Sequence, residues 1–105
     1  MLTKELHDTA VKEAKKAVEN YLLTHGKNPT ACGFAGVVAR VDGRTRIAKS
    51  LRAQGFRKST YGYKLWDPSN SITQDMFAKA AGAEAYIKTV ESEVPVDFFV
   101  HTTWD

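Results

Sequence analysis

Apolar residues recur at helical spacing in three segments of the chain, which predicts three amphipathic helices. These segments are residues 3–25, 43–54 and 72–91. The first has the clearest apolar stripe, made by Leu6, Ala10, Val11, Ala14, Ala17, Val18, Tyr21 and Leu22. The second has a narrow apolar side and presents cations on another, so we expect it to be held against the protein on one side only.

Three runs rich in Val, Phe and Tyr predict strands between and after the helices. They are residues 32–41, 56–66 and 96–103. In the first, Arg40 should point away from the side shared by Ala39 and Val41. In the second, Tyr61, Tyr63 and Leu65 should share one side, and Gly62 is either a bulge or the turn of a tight hairpin.

Capping residues mark where the predicted helices begin and end. The expected N-caps are Thr3, Asp42 and Ser71, the last with Gln74 in a capping-box pattern. Gly26 and Gly55 are expected just past the ends of the first two helices, in the left-handed conformation.

The order α-β-α-β-α-β predicts an α+β fold with a small three- to four-stranded sheet and helices mainly on one face. At 105 residues the chain is long enough for one domain, residues 1–105. A sheet this small leaves edges, and edges must be covered, charged or paired. We therefore expect a homo-oligomer that associates through a strand edge or through the uncovered face.

Gly82 lies in the middle of the third predicted helix, within a run of small residues. Glycine costs about 1 kcal/mol relative to alanine inside a helix. We expect another backbone, namely a strand of the sheet, to lie very close to Gly82.

Positive charge is concentrated in the middle of the chain. Eight basic residues and one acid, Asp42, lie between positions 40 and 64, whereas the rest holds seven lysines and eleven acids. The eight are Arg40, Arg44, Arg46, Lys49, Arg52, Arg57, Lys58 and Lys64. Such asymmetry favours a polyanionic partner. The competing interpretation is a solvated helix face and strand edges whose charges only keep the protein soluble.

The start of the basic helix is a candidate anion site, because free N–H groups and the helix dipole attract phosphate there. Arg44 and Arg46 would add forked donors. The turn is neither a Walker loop nor a dinucleotide fingerprint, and Asp42 opposes an anion.

Aromatic residues close to the charge strengthen a nucleic-acid interpretation. Tyr61, Tyr63 and Trp66 are candidates for stacking on bases, with Arg57, Lys58 and Lys64 holding the backbone. The alternative is that the tyrosines serve core or cross-strand packing.

Cys32 is the one cysteine, so no intrachain disulfide can form, which fits a reducing cytoplasm. Cys32 with His25 or His101 would be a nucleophile and base, but a small buried hydrophobe is the competing interpretation. No secretory signal or membrane span is expected, and no metal or cofactor site is indicated.

Several strings resemble a family of small proteins encoded by bacteriophages and marine environmental DNA. They are Asn28-Pro29-Thr30-Ala31-Cys32-Gly33-Phe34-Ala35, the basic helix ending in Gly55, Lys58 to Gly62 closing on Trp66, Lys79–Tyr86, and the stretch from His101 to Asp105. Tyr63 departs from the pattern, since glycine often follows Gly62 in the family. The resemblance implies a viral or virus-like origin and a compact fold, and it brings no site residues with it.

A shorter stretch, strand, Gly-Arg-Thr-Arg turn, helix and Gly-Phe, resembles the cofactor-binding segment of acyl-CoA N-acetyltransferases, although the upstream strands of that fold are missing. The leading hypothesis is a non-enzymatic module that binds a polyanion, most simply nucleic acid. The alternatives are a protein–protein interaction or assembly component with a host-protein partner, and an acyl-CoA-dependent transferase.

Overall fold

The computed structural model describes residues 1–26, 32–71 and 73–104. The elements are α1 (Lys4–His25), β1 (Gly33–Arg40), α2 (Arg46–Ala53), β2 (Arg57–Ser59), β3 (Gly62–Trp66), α3 (Met76–Val90) and β4 (Asp97–Trp104). The expected α+β fold with a small sheet and helices on one face is confirmed.

The four strands form one sheet in the order β2-β3-β1-β4, and every neighbouring pair is antiparallel. From β1 onwards the chain therefore follows a split β-α-β arrangement, in which β3 lies between the two strands that α2 connects. Helix α1 precedes this unit. The topology puts β1 and β3 at the centre of the sheet and β2 and β4 at its edges.

The predicted strand 56–66 is two strands, because Thr60 and Tyr61 turn the chain between β2 and β3. Gly62 follows the turn with φ +137°, a conformation that side chains rarely adopt. A Cβ at Gly62 would also collide with the carbonyl oxygen of Ala39. Of the two roles expected for Gly62, the tight hairpin is confirmed.

One side of the sheet packs against the helices and forms the core. Val37 and Ala39 of β1 and Tyr63 of β3 are buried there, joined by half-buried residues of β3 and β4. The helices and the loop before β2 contribute Ala14, Ala48, Leu51, Phe56, Ala83, Tyr86 and Val90. Burying these apolar and aromatic side chains contributes most of the favourable free energy of folding.

Helices α1 and α3 pack closely because small residues line their contact. A Cβ added to Gly82 would lie 2.9 Å from a methyl of Val18 and 3.2 Å from the carbonyl oxygen of Ala14. The expected close approach to Gly82 exists, but the prediction that a strand makes it is wrong. The neighbour is α1.

Hydrogen bonds tie α1 to the other two helices. The Leu2 N–H donates to Ser50 Oγ at 3.0 Å, which holds the chain ahead of α1 against α2. The buried Tyr86 hydroxyl and His7 Nδ1 form a hydrogen bond of 2.7 Å, in which the His7 tautomer decides which group donates. Burial raises the pKa of Tyr86 and lowers the pKa of His7, so both groups stay neutral in this pair.

Thr3 caps α1 as expected, with its hydroxyl accepting from the Leu6 N–H. The other two N-cap predictions are wrong. Helix α2 begins at Arg46 behind Thr45, and α3 begins at Met76 behind Asp75, whose carboxylate accepts from two backbone N–H groups. Gly26 and Gly55 have the expected positive φ, +86° and +97°.

Across the described parts of the chain, none of the helices combines the length and the apolar character that crossing a bilayer requires.

Candidate nucleic-acid interface

The side of the sheet turned away from the helices, here called the open face, carries a different set of side chains. Directly paired residues on neighbouring strands point to the same side, so the strand register assigns them. The larger side chains of the open face are Phe34, Val38, Arg40, Arg57, Lys64, Trp66, Asp97, Phe99 and His101. Among the described residues, none of these side chains belongs to the hydrophobic core that forms on the helix side.

Two rows of paired residues run across the open face. In the first, Arg57 pairs with Lys64, Lys64 with Val38, and Val38 with Phe99. Val38 is fully buried, and it lies between Lys64 and Phe99 in this row. In the second row Gly36 lies between Trp66 and His101, so the two rings face each other across a residue without a side chain.

The centre of the open face holds a cluster of three rings and an ammonium group. The centroid of the Trp66 ring lies 6.4 Å from that of Phe34 and 6.0 Å from that of His101. The Lys64 Nζ lies 4.2 Å from the Trp66 ring centroid and donates to His101 Nδ1 at 2.6 Å. We call Phe34, Lys64, Trp66 and His101 the central cluster.

Phe34 and Trp66 remain about half exposed, at 48% and 50%. Their planes are inclined at 76°, so they cannot sandwich one flat group between them. Each ring instead offers its own free surface. The Lys79 ammonium, from α3, lies 5.0 Å from the Phe34 centroid and adds a cation beside the cluster.

A second aromatic group lies at the β2–β3 turn. Tyr61, 58% exposed, packs edge-on against Phe99 with centroids 6.3 Å apart. The Arg40 guanidinium lies 4.7 Å from the Phe99 centroid and 3.8 Å from a carboxylate oxygen of Asp97. That ion pair is exposed, so it contributes little to stability.

Cations outnumber acids on the open face. Arg40, Arg57 and Lys64 lie there, and Asp97 is the acid among its larger side chains. Burial lowers the pKa of the Lys64 ammonium. Donation from Lys64 requires an unprotonated His101 Nδ1, so the neutral ring would carry its proton on Nε2.

The structure does not bring all the predicted cations together. Arg46 and Lys49 lie on α2, in the helix layer, where they border an open cleft with Met1 and Leu2. Arg52 is occupied within the fold, because Nη1 donates to the Tyr63 hydroxyl at 2.7 Å and to the Gly43 carbonyl at 3.1 Å. Of the predicted anion-binding cations, Arg52 therefore has one guanidinium nitrogen already engaged within the fold.

The predicted anion site before α2 has lost donors to local contacts. The Asp42 carboxylate accepts from the Arg44 N–H at 2.9 Å and lies 3.6 Å from Arg44 Nε. The Thr45 hydroxyl accepts a hydrogen bond from the Ala48 N–H at 3.1 Å. Because these groups are already satisfied, this turn offers an incoming phosphate less than the sequence suggested.

Tyr63 is the clearest error among the predicted stacking residues. It is 5% exposed and lies in the core, where its hydroxyl accepts from Arg52, so no base can reach its ring. Tyr61 does not lie on the same side of the sheet as Tyr63, because Tyr61 belongs to the turn between β2 and β3. Trp66 is exposed as expected. Lys58 pairs with Tyr63 and so points to the helix side of the β2 edge, whereas Arg57 lies on the open face.

Sequence reasoning did not select Phe34, Phe99 or His101 as binding residues. The period-two pattern of β4 carried a signal, since it separates Phe99 and His101 from the core residues Phe98 and Val100. No comparable signal joins Phe34 to Trp66, which are brought together by the β1–β3 register.

Cys32 is exposed, contrary to the expectation of a small buried hydrophobe. His25 Nδ1 lies 3.1 Å from the Tyr21 carbonyl oxygen, and His101 Nδ1 accepts from Lys64. The Nδ1 atom of each histidine is therefore engaged by a partner other than the Cys32 thiol. Among the described residues no three His, Cys, Asp or Glu side chains converge as metal ligands would.

Comparisons with protein-family models, with curated proteins and with solved structures found no match to this chain.

Proposed function

We propose that the chain is a non-enzymatic module that binds single-stranded nucleic acid on the open face of its sheet. The central cluster carries this proposal, because it combines two half-exposed rings with an ammonium group within 4.2 Å of one of them. Strand-binding surfaces join aromatic platforms for bases to cations for the backbone in the same way.

The exposed rings would supply most of the affinity. Phe34 and Trp66 are steeply inclined to each other, so each would take one base, with the two bases splayed apart. Tyr61, beside Phe99, offers a third platform nearer the β2–β3 turn. RNA-recognition modules likewise stack two or three bases on the aromatics of a four-stranded sheet.

The cations of the open face would hold phosphates between these platforms. Lys64 lies beside the Trp66 ring, and Arg57 on the edge strand β2 pairs with Lys64. A duplex keeps its base faces stacked inside, so the exposed rings favour an unpaired strand. An apolar partner protein would gain less from three cations set among the aromatics.

We place the protein in the cytoplasm, in the host's if the bacteriophage-like resemblance reflects a viral origin. A single exposed thiol with no disulfide partner in the chain supports a reducing compartment.

Fluorescence anisotropy with labelled single-stranded RNA, single-stranded DNA and duplex tests the proposal. Trp66→Leu should weaken single-strand binding by about 1–3 kcal/mol, or roughly 5- to 150-fold in Kd. Trp104→Leu is the matched control, because Trp104 is even more exposed but packs against Phe77 of α3, outside the open face.

Trp104→Leu should leave the affinity unchanged, and both variants should melt like the parent. Equal losses in the two variants, or a duplex bound as tightly as a single strand, would contradict the proposal. The ratio of RNA to DNA affinity shows which strand the face prefers.

A further inference from the structure

The two edges of the sheet differ in how far they are protected from pairing. Strand β2 is three residues long and carries Arg57 and Lys58. Strand β4 is eight residues long and pairs with β1 along its whole length, from Gly33 opposite Trp104 to Arg40 opposite Asp97. Its other side pairs with no strand within the described residues.

Strand β4 also lacks the features that natural proteins use to blunt an edge. Its sequence, D-F-F-V-H-T-T-W, holds no lysine, arginine, proline or glycine, and its one acid is the first residue. The pairing with β1 advances one residue at a time without a bulge. Long, regular edges rich in Phe, Val, Thr and Trp are templates for another strand.

We propose that two copies of the chain pair through antiparallel β4 strands to form one continuous eight-stranded sheet. The geometry of the edge favours a second copy of the chain as the partner. Two identical strands related by a two-fold axis run antiparallel, so the β4 edge of one copy can pair with the β4 edge of the other. The axis would pass near Val100 or His101, the middle of β4. The inference rests on the edge and does not depend on the proposed function.

Such pairing has a consequence for the open face. Paired residues must point to the same side of the sheet, so the open faces of both copies would lie on one side. Phe99 and His101 of each copy would line the join, and the two central clusters would share one surface. A longer single-stranded oligonucleotide would then contact both copies and bind more tightly than a short one.

Sedimentation velocity of matched lysine variants tests the pairing. The parent should sediment as a dimer at high micromolar concentration. Thr102→Lys places a charge on the exposed end of β4 and should give a monomer, because edge lysines prevent strand addition. Thr60→Lys adds the same charge at the opposite edge and should remain a dimer. A monomeric parent or a dimeric Thr102→Lys variant would overturn the proposal.

Cysteine cross-linking locates the join. In a Cys32→Ser background, residues at the two-fold axis would bring their Cα atoms within disulfide range, so Val100→Cys or His101→Cys should oxidise to a dimer. Lys58→Cys, on β2, should not. Cross-linking at Lys58 alone, or at none of the three positions, would overturn it.

Failure of this proposal is separable from failure of the proposed function. Monomeric Thr102→Lys should still bind a short single strand, since Thr102 lies on the helix side of β4. Its advantage for longer strands should disappear.

Discussion

The two sides of the sheet are built from the same strands and are finished in opposite ways. On the helix side, Val37 and Ala39 are fully buried. On the open side of the same strand, Phe34 is 48% exposed, and Trp66 on β3 is 50% exposed. Because successive side chains alternate, one strand can carry a stability surface and a binding surface that hardly overlap.

The difference in packing tightness follows from what lies against each side. The helix side is closed by α2 and α3, and α3 is held against α1 by a contact too tight for a Cβ at Gly82. The open side exposes apolar rings to water, an arrangement that marks interaction sites on protein surfaces. Substitutions on the helix side should therefore change stability, and substitutions on the open side should change binding.

The largest expected effect is in the helix layer, at Gly82. Gly82→Leu adds a side chain where Val18 and the Ala14 carbonyl leave no room, so the free energy of unfolding should fall by about 1–3 kcal/mol. Denaturant unfolding measures it. The affinity of the folded Gly82→Leu protein for single-stranded nucleic acid should not change.

The matched control is Glu84→Leu, an exposed position of the same helix, which should stay within about 0.5 kcal/mol of the parent. A Gly82→Leu protein as stable as Glu84→Leu would show that α1 and α3 do not pack as closely as described.

The helix side was largely predictable from the sequence because it depends on local patterns. Helical spacing predicted α1, and the residue types at its ends predicted the Thr3 cap. The glycine at position 55 predicted a positive φ there. The errors concern choices between nearby candidates: Thr45 caps α2 instead of Asp42, because the backbone at Thr45 is extended (φ −84°, ψ 160°) and helical geometry begins only at Arg46. The neighbour of Gly82 depends on helix packing, which no local pattern contains.

A smaller effect is expected on the salt dependence of binding, which should differ between the cations of the open face and those of α2. Replacing Arg57 and Lys64 by Gln should reduce the slope of log K against log salt by about 1.4, since each phosphate contact with a single strand contributes about 0.7. Replacing Arg46 and Lys49 by Gln removes the same charge from α2 and should leave the slope nearly unchanged. Anisotropy titrations across a salt series measure both.

An equal fall in slope for the two pairs would mean that the strand responds to net charge alone. A fall for the α2 pair only would return the binding surface to the helix that the charge pattern first indicated.

The open face was only partly predictable because strand pairing assembles it. The sequence indicated Lys64, Trp66 and Tyr61 through charge and aromatic content. It did not connect them with Phe34 and His101, which join Trp66 through the β1–β3 and β1–β4 registers. Tyr63 was misassigned for the same reason, since its side is fixed by pairing with Ala39.

The location of the bound strand is tested most directly by NMR titration of the ¹⁵N-labelled protein with a short single-stranded oligonucleotide. The largest backbone shift changes should fall on β1, β3 and β4, together with the Trp66 indole N–H. The N–H signals of α2, including Arg46 and Lys49, should move little. Changes concentrated on α2 with an undisturbed Trp66 indole would contradict binding at the open face.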